Sequence, residues 1–156
     1  DDRWEEFSDW AEKGKVYQTE LIKLVDEDTN AFNKIMDAFS LPNKSEEEKA
    51  AWQKAVQDAT RYATEVPFKT MMLCYECMEV VKAMAEIGNP NSVTDAGVGA
   101  LAARSGVIGA FLNVKINAAG LDDKEYANDI ISRGEKVVEM AKQMETDILN
   151  IVNSKI

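Results

Sequence analysis

Every periodic stretch of this chain repeats its apolar residues at intervals of three and four, and no segment sustains the two-residue alternation of a half-buried strand. That property leaves one class open: an all-α fold, an antiparallel bundle of four to six helices. Trp4, Phe7, Trp10, Ala11, Gly14, Tyr17 and Leu21 run directly into Leu24, Val25, Phe32, Ile35, Met36 and Phe39, which predicts one very long helix or two collinear ones over 3–40. Pro42 breaks the pattern. Ser45 followed by Glu48 is a capping box for a second helix over about 46–65, with Trp52, Ala55, Val56, Ala59 and Tyr62 on one face. Pro67 predicts a kink or a break, because proline lacks a backbone donor and crowds the preceding turn. A further helix over about 67–87 stops at Gly88. Ser92 with Asp95 predicts the cap of a helix over about 93–118, which Gly120 ends, and a last helix covers about 123–153. At 156 residues, without internal repeats or low-complexity linkers, residues 1–156 read as a single domain.

The first stripe contains one anomaly. In the stretch VDEDTNAF, Asp28 occupies a position on the apolar face where a leucine is expected. An unpaired carboxylate in a core costs several kcal/mol, so it must be paired, solvated by a cleft, or protonated. Three arrangements satisfy this requirement. Asp28 bonds to a neighbouring helix, or the helix is rotated so that Asp28 lies at the edge of the stripe, or the stripe borders a cavity. In the last case burial raises the carboxyl pKa towards neutrality, which suits a general acid or base.

A net charge of −10 argues against general affinity for nucleic acid or anionic membranes. There is no histidine, so a histidine general base and a His/Cys zinc site are both excluded, and no metal is expected. Cys74 and Cys77 lie inside a helical run rather than at its start, which favours packing over redox chemistry. The opening DDRWEEFSDW is acidic and aromatic, unlike a signal peptide, and the expected setting is reduced and cytoplasmic. The longest apolar stretch, AGVGALAARSGVIGAFLNV, is interrupted by Arg104 and reads as a helix buried in protein rather than a membrane span. The chain does not begin with Met, and an upstream segment is expected.

The helix over 93–118 is the least ordinary part. Gly99, Ala102, Ala103, Gly106, Gly109, Ala110, Asn113 and Asn117 form a face with almost no bulk. Each glycine inside a helix costs about 1 kcal/mol relative to alanine, so another backbone or a ligand must come close to that face. Asn113 and Asn117, with Lys115 and Arg104 nearby, leave room for a polar pocket in its C-terminal half. Asp95 lies in the first turn, where an acid stabilises the helix dipole and completes a cap.

Four segments in order, LVDEDTNAFNKIMDAFSLP, EEEKAAWQKAVQDATRYATEVP, GNPNSVTDAGVGAL and GAFLNVKIN, resemble the cyclodeaminase/methenyltetrahydrofolate cyclohydrolase family, which includes the cyclodeaminase half of formiminotransferase-cyclodeaminase. The resemblance runs from about Tyr17 to the final helix. It implies a homodimeric, all-helical enzyme acting on a tetrahydrofolate derivative as substrate, with a formiminotransferase as a partner or a fused domain. The reaction it implies is cyclodeamination of 5-formimino-tetrahydrofolate to 5,10-methenyl-tetrahydrofolate with release of ammonia. The alternative is hydrolysis of the methenyl form to 10-formyl-tetrahydrofolate. Asp28, the last residue of VDED, corresponds to the family's proton donor and acceptor. Asp95 matches a second acidic position, expected to act electrostatically on the cationic one-carbon group. Asn113 and Asn117 match the segment lining the pocket, and Lys115 is the candidate for the ligand's carboxylate end.

One departure stands against the enzyme reading. The family's PGGGSV-type segment, which opens a small-residue helix, is absent here, and the bulk-free face over 99–110 is the expected groove for that helix. A helical interaction module that keeps the fold without its chemistry is therefore the reading from another class.

Overall fold

The three-and-four spacing is realised as α1 (Trp4–Phe39), α2 (Glu46–Glu76), α3 (Met78–Ile87), α4 (Val93–Ala119) and α5 (Lys124–Asn153), with a one-turn 3-10 helix, Pro90–Ser92, leading into α4. The computed structural model describes residues 3–156; Asp1 and Asp2, which begin the acidic opening segment, lie outside the described residues. Among the described residues there is no strand. α1 is one unbroken helix, and the box before α2 forms as expected. Ser45 Oγ accepts from the Glu48 N–H at 3.1 Å, and the Glu48 carboxylate accepts from the Ser45 N–H at 3.0 Å. Asp123 caps α5 by accepting from the Tyr126 N–H at 3.0 Å.

Two expectations are corrected. Ser92 makes no side-chain cap bond; Asn89 instead accepts from the Asn91 N–H at 3.0 Å, because the 3-10 turn intervenes. Nor does Pro67 break α2, which continues to Glu76; the interruption comes at Cys77, ten residues on. There the Cys77 carbonyl accepts from the Val80 N–H at 3.1 Å, a tighter turn than the α-helical one.

α4 lies at the centre, packed against α2, α3 and α5. It is apolar on nearly every side, so length and composition alone would let residues 90–119 cross a membrane. Here one side of it is core, with Ala100, Val107, Val114 and Ala118 fully buried. Its bulk-free face is divided between two neighbours and open space. A methyl on Gly99 would touch Val81 of α3 at 3.4 Å, one on Gly106 would meet Cys74 Sγ of α2 at 2.8 Å, and one on Gly109 would meet nothing within 4 Å. Arg104 turns towards α5, where its Nε sits 3.2 Å from Glu145 Oε2; the two are close enough to pair electrostatically but not aligned as a hydrogen bond.

α1 packs on α2 through a seam of small residues. Leu24, Ala31 and Ala38 are buried, and Leu24 and Ala31 form a second apolar cluster with Ala63 and Val66 of α2. The bulkier members of the expected stripe are turned outward, with Val25 68% and Phe32 61% exposed. Alanines let two helix backbones approach in a way that phenylalanine and methionine do not, and this places the seam one step round the helix from the bulky stripe. At its N-terminal end α1 is tied to α3, where Glu79 accepts from Tyr17 Oη at 2.5 Å and pairs with Lys13 at 2.8 Å.

Cys74 and Cys77 are free thiols, half-buried between helices. Burial pushes Cys74 up, and burial together with Cys74 pushes Cys77 up to about 11 from an ordinary 9.0. The folded chain therefore holds these protons after the unfolded chain has released them. The resulting stabilisation is complete below the ordinary thiol pKa and is lost as pH rises from about 9 to about 11. Urea midpoints should fall across that window, and substituting both cysteines by alanine should flatten the fall.

Candidate functional site

α1 and α4 both pack on α2, and a cleft of about 480 Å³ opens between them. Leu21, Val25, Asp28 and Thr29 form its α1 wall, while Gly106, Gly109 and Asn113 form its α4 wall. Pro67 and Thr70 of α2 complete the lining. A smaller pocket of about 150 Å³ adjoins it, sharing Asp28 and Asn113 and adding Phe32, Ala63 and Asn117.

The helical registers explain why these side chains meet. Asp28 stands one turn before Phe32 and one turn after Leu24, beside the alanine seam, which brings it to the rim where α1 leaves α2. Asn113 and Asn117 are one turn apart on α4 and follow Gly106 and Gly109 on the same face. The missing side chain of Gly109 leaves open space at the middle of the wall.

Asp28 is exposed and not sunk in a core, which rules out the reading that buries it in a bond to a neighbouring helix. Two of the three sequence readings combine here: it lies at the edge of the stripe, and that edge borders a cavity. It has no hydrogen-bond or ion-pair partner among the described residues. Among the described residues it is also the only ionisable side chain lining either part of the cleft. The surroundings are apolar groups, two carboxamides and two threonines whose hydroxyls already donate to their own helices, Thr29 to Val25 O and Thr70 to Val66 O, each at 3.1 Å. An isolated carboxylate among neutral groups suits a ligand that carries positive charge or gives up a proton.

The asparagines differ. Asn113 is exposed and donates only to Gly109 O, at 3.3 Å. Asn117 is half-buried and donates its Nδ2–H to Ala63 O across the helix interface at 2.6 Å. The remaining candidates lie elsewhere. Asp95 is 18 residues before Asn113 on α4, roughly 27 Å along the helix axis, and is exposed outside the cleft. Lys115 points away from the cleft, its Nζ 4.9 Å from the centre of the Phe111 ring. Thr29, Thr70 and Pro67 are lining residues that sequence reasoning did not assign to the site; a proline four residues after Ala63 on an otherwise regular helix was the available signal.

The Formiminotransferase-cyclodeaminase family matches residues 1–136. A methenyltetrahydrofolate cyclohydrolase of Methylorubrum extorquens is 36% identical over 145 residues, covering 93% of this chain and 70% of that protein. The formimidoyltransferase-cyclodeaminase of Gallus gallus is 29% identical over 136 residues, 87% of this chain, but the chain spans only 25% of that protein's length. Among solved structures, a formiminotetrahydrofolate cyclodeaminase from Thermotoga maritima superposes with a TM-score of 0.83 at 21% identity, over 99% of this chain and 73% of that one, a likeness of fold.

Proposed function

The chain belongs to the formiminotransferase-cyclodeaminase family, and from that premise we propose that it is a folate one-carbon enzyme whose reaction is carried out at the Asp28 cleft. The observation that carries this reading is the solitary, unpartnered carboxylate of Asp28 facing Asn113 and Asn117. In cyclodeamination, N10 of the protonated formimino-tetrahydrofolate attacks the amidine carbon on N5. Asp28 takes the proton that N10 sheds and returns it to the amino group of the tetrahedral adduct. The carbon–nitrogen bond to that group then breaks, ammonia leaves, and the 5,10-methenyl cation remains. Its positive charge stays beside the same carboxylate. One group performs both transfers, and with no histidine in the chain an aspartate that lines the cleft is the natural candidate.

A second reading is favoured by the 36% identity to a protein named as a cyclohydrolase. Water adds to the methenyl carbon and Asp28 takes one of its protons; N5 receives that proton as its bond to carbon breaks, and the remaining hydroxyl proton is released to solvent as the formyl C=O forms, giving 10-formyl-tetrahydrofolate. Incubating the chain with 5-formimino-tetrahydrofolate and, separately, with the methenyl form separates the two. Ammonia with methenyl absorbance means cyclodeamination, and loss of methenyl absorbance faster than in buffer means hydrolysis. Neither signal from a folded chain would leave the interaction-module reading.

The same proposal accounts for Gly109. Gly109→Ala should raise stability by up to about 1 kcal/mol through helix propensity, since the methyl meets nothing, and should weaken binding of a reduced folate by narrowing the cleft. Thermal melting with and without the folate measures both effects. A homodimer is proposed to cover the exposed apolar side chains of α1 and α4, including Leu112 at 57% and Ile116 at 72% exposure; sedimentation tests it. A formiminotransferase partner or fused domain, suggested by the name of the Gallus gallus relative, and a cytoplasmic setting belong to the same proposal.

A further inference from the structure

In an α-helix the N–H of residue 67 closes on the carbonyl of residue 63. Pro67 has no N–H, and its ring crowds that carbonyl, yet α2 runs through both positions. The Ala63 oxygen thus loses its helical donor at a point where Ala63 and Pro67 are both buried. Asn117, on another helix and 54 residues later, donates to that oxygen at 2.6 Å. A carbonyl only accepts, so the atom facing it must be the amide nitrogen, and the orientation of the carboxamide follows. Its Oδ1 is turned away from Ala63 and has no partner among the described residues. Asn117 lines the small pocket together with Asp28 and Asn113.

We propose that Pro67 is a positioning residue: by deleting one helical N–H it captures the amide nitrogen of Asn117 and commits Asn117 Oδ1 to the pocket as an acceptor. The acceptor's ligand is an N–H group, carried in cyclodeamination by the formimino nitrogen and by N10; in hydrolysis it would be an O–H of the attacking water. This assignment rests on the folate reading. It differs from a purely structural role for Pro67, which would leave Asn117 chemically indifferent to the proline.

The test is to give the N–H back. In 15N-labelled Pro67→Ala the side-chain amide resonances of Asn117, identified by their absence in Asn117→Ala, should shift as residue 67 reclaims the Ala63 carbonyl. Affinity for 5-formyl-tetrahydrofolate, a reduced folate that keeps the N10–H and has no amino group to lose, should fall about tenfold, the worth of one ligand hydrogen bond. Asn117→Ala should lose a similar factor, and the double variant no more than either. The double variant also satisfies Ala63 internally, so it folds even where Asn117→Ala alone does not. Unmoved resonances, parental affinity in Pro67→Ala, or losses that multiply would overturn the coupling. A parent chain that binds no reduced folate counts against the folate reading alone; the amide resonances then decide the coupling by themselves.

Discussion

Asp28→Asn should lower turnover of the one-carbon substrate by about 100- to 10,000-fold, the usual contribution of a positioned acid–base group, while the melting temperature stays where it was. Both halves of that expectation come from the same geometry. Asp28 is exposed and bonded to nothing among the described residues, so the isosteric amide removes no contact that holds the fold. Among the described residues it is also the only ionisable side chain in the cleft, so no neighbour there stands ready to take over the proton. The variant should still bind the reduced folate, because the cleft keeps its shape, and the loss should fall on the rate of the chemical step. Turnover within tenfold of the parent would take Asp28 out of the mechanism and leave the carboxylate as a solvated edge of α1. An equal fall in melting temperature would mean that the loss is structural.

Gly134→Val should destabilise the fold by about 3 kcal/mol or more, at the upper end of overpacking effects. Gly134 is buried on α5, and a Cβ built there would sit 2.3 Å from the Phe111 ring, a distance no side chain tolerates. Phe111 is itself 7% exposed, within the main core, and has nowhere to retreat without opening α4 from α5. The glycine therefore gives up roughly 1 kcal/mol of helix propensity so that two helices can close over an aromatic ring. Shrinking the ring is the check. Phe111→Leu combined with Gly134→Val should recover a substantial part of the lost stability in urea denaturation. If the double variant is as unstable as the sum of its parts, the two positions do not share the space assigned to them.

The helices were legible because their signals are local. The uninterrupted period over α1, the Ser45–Glu48 box and the stops at Gly88 and Gly120 depend on neighbours within a turn or two, and all appear as read. Of the kink or break expected at Pro67, the break does not occur, and its absence shows where local reasoning ends. The cost of a proline in a helix is set by whether its orphaned carbonyl finds another donor, and that donor comes from a side chain 54 residues away. The cap at Ser92 failed for a smaller reason of the same kind, a 3-10 turn inserted by Asn89 and Pro90.

For the site, the sequence by itself determined the anomaly and its family: an acid on an apolar stripe, two asparagines one turn apart on a helix poor in side chains, and four collinear segments that resemble the family matched over residues 1–136. Only the tertiary structure decided that Asp28 faces open space, that Asn113 and Asn117 join it, and that Asp95 and Lys115 do not. The physical reason lies in the seam between α1 and α2. Hydrophobic periodicity reports which residues favour burial, but packing distance decides which of them get it, and small side chains permit the closest approach. Ala31 and Ala38 took the interface, the bulkier residues were turned outward, and the rotation that followed set Asp28, for which the sequence left core, edge and cavity open, at the edge of a cleft.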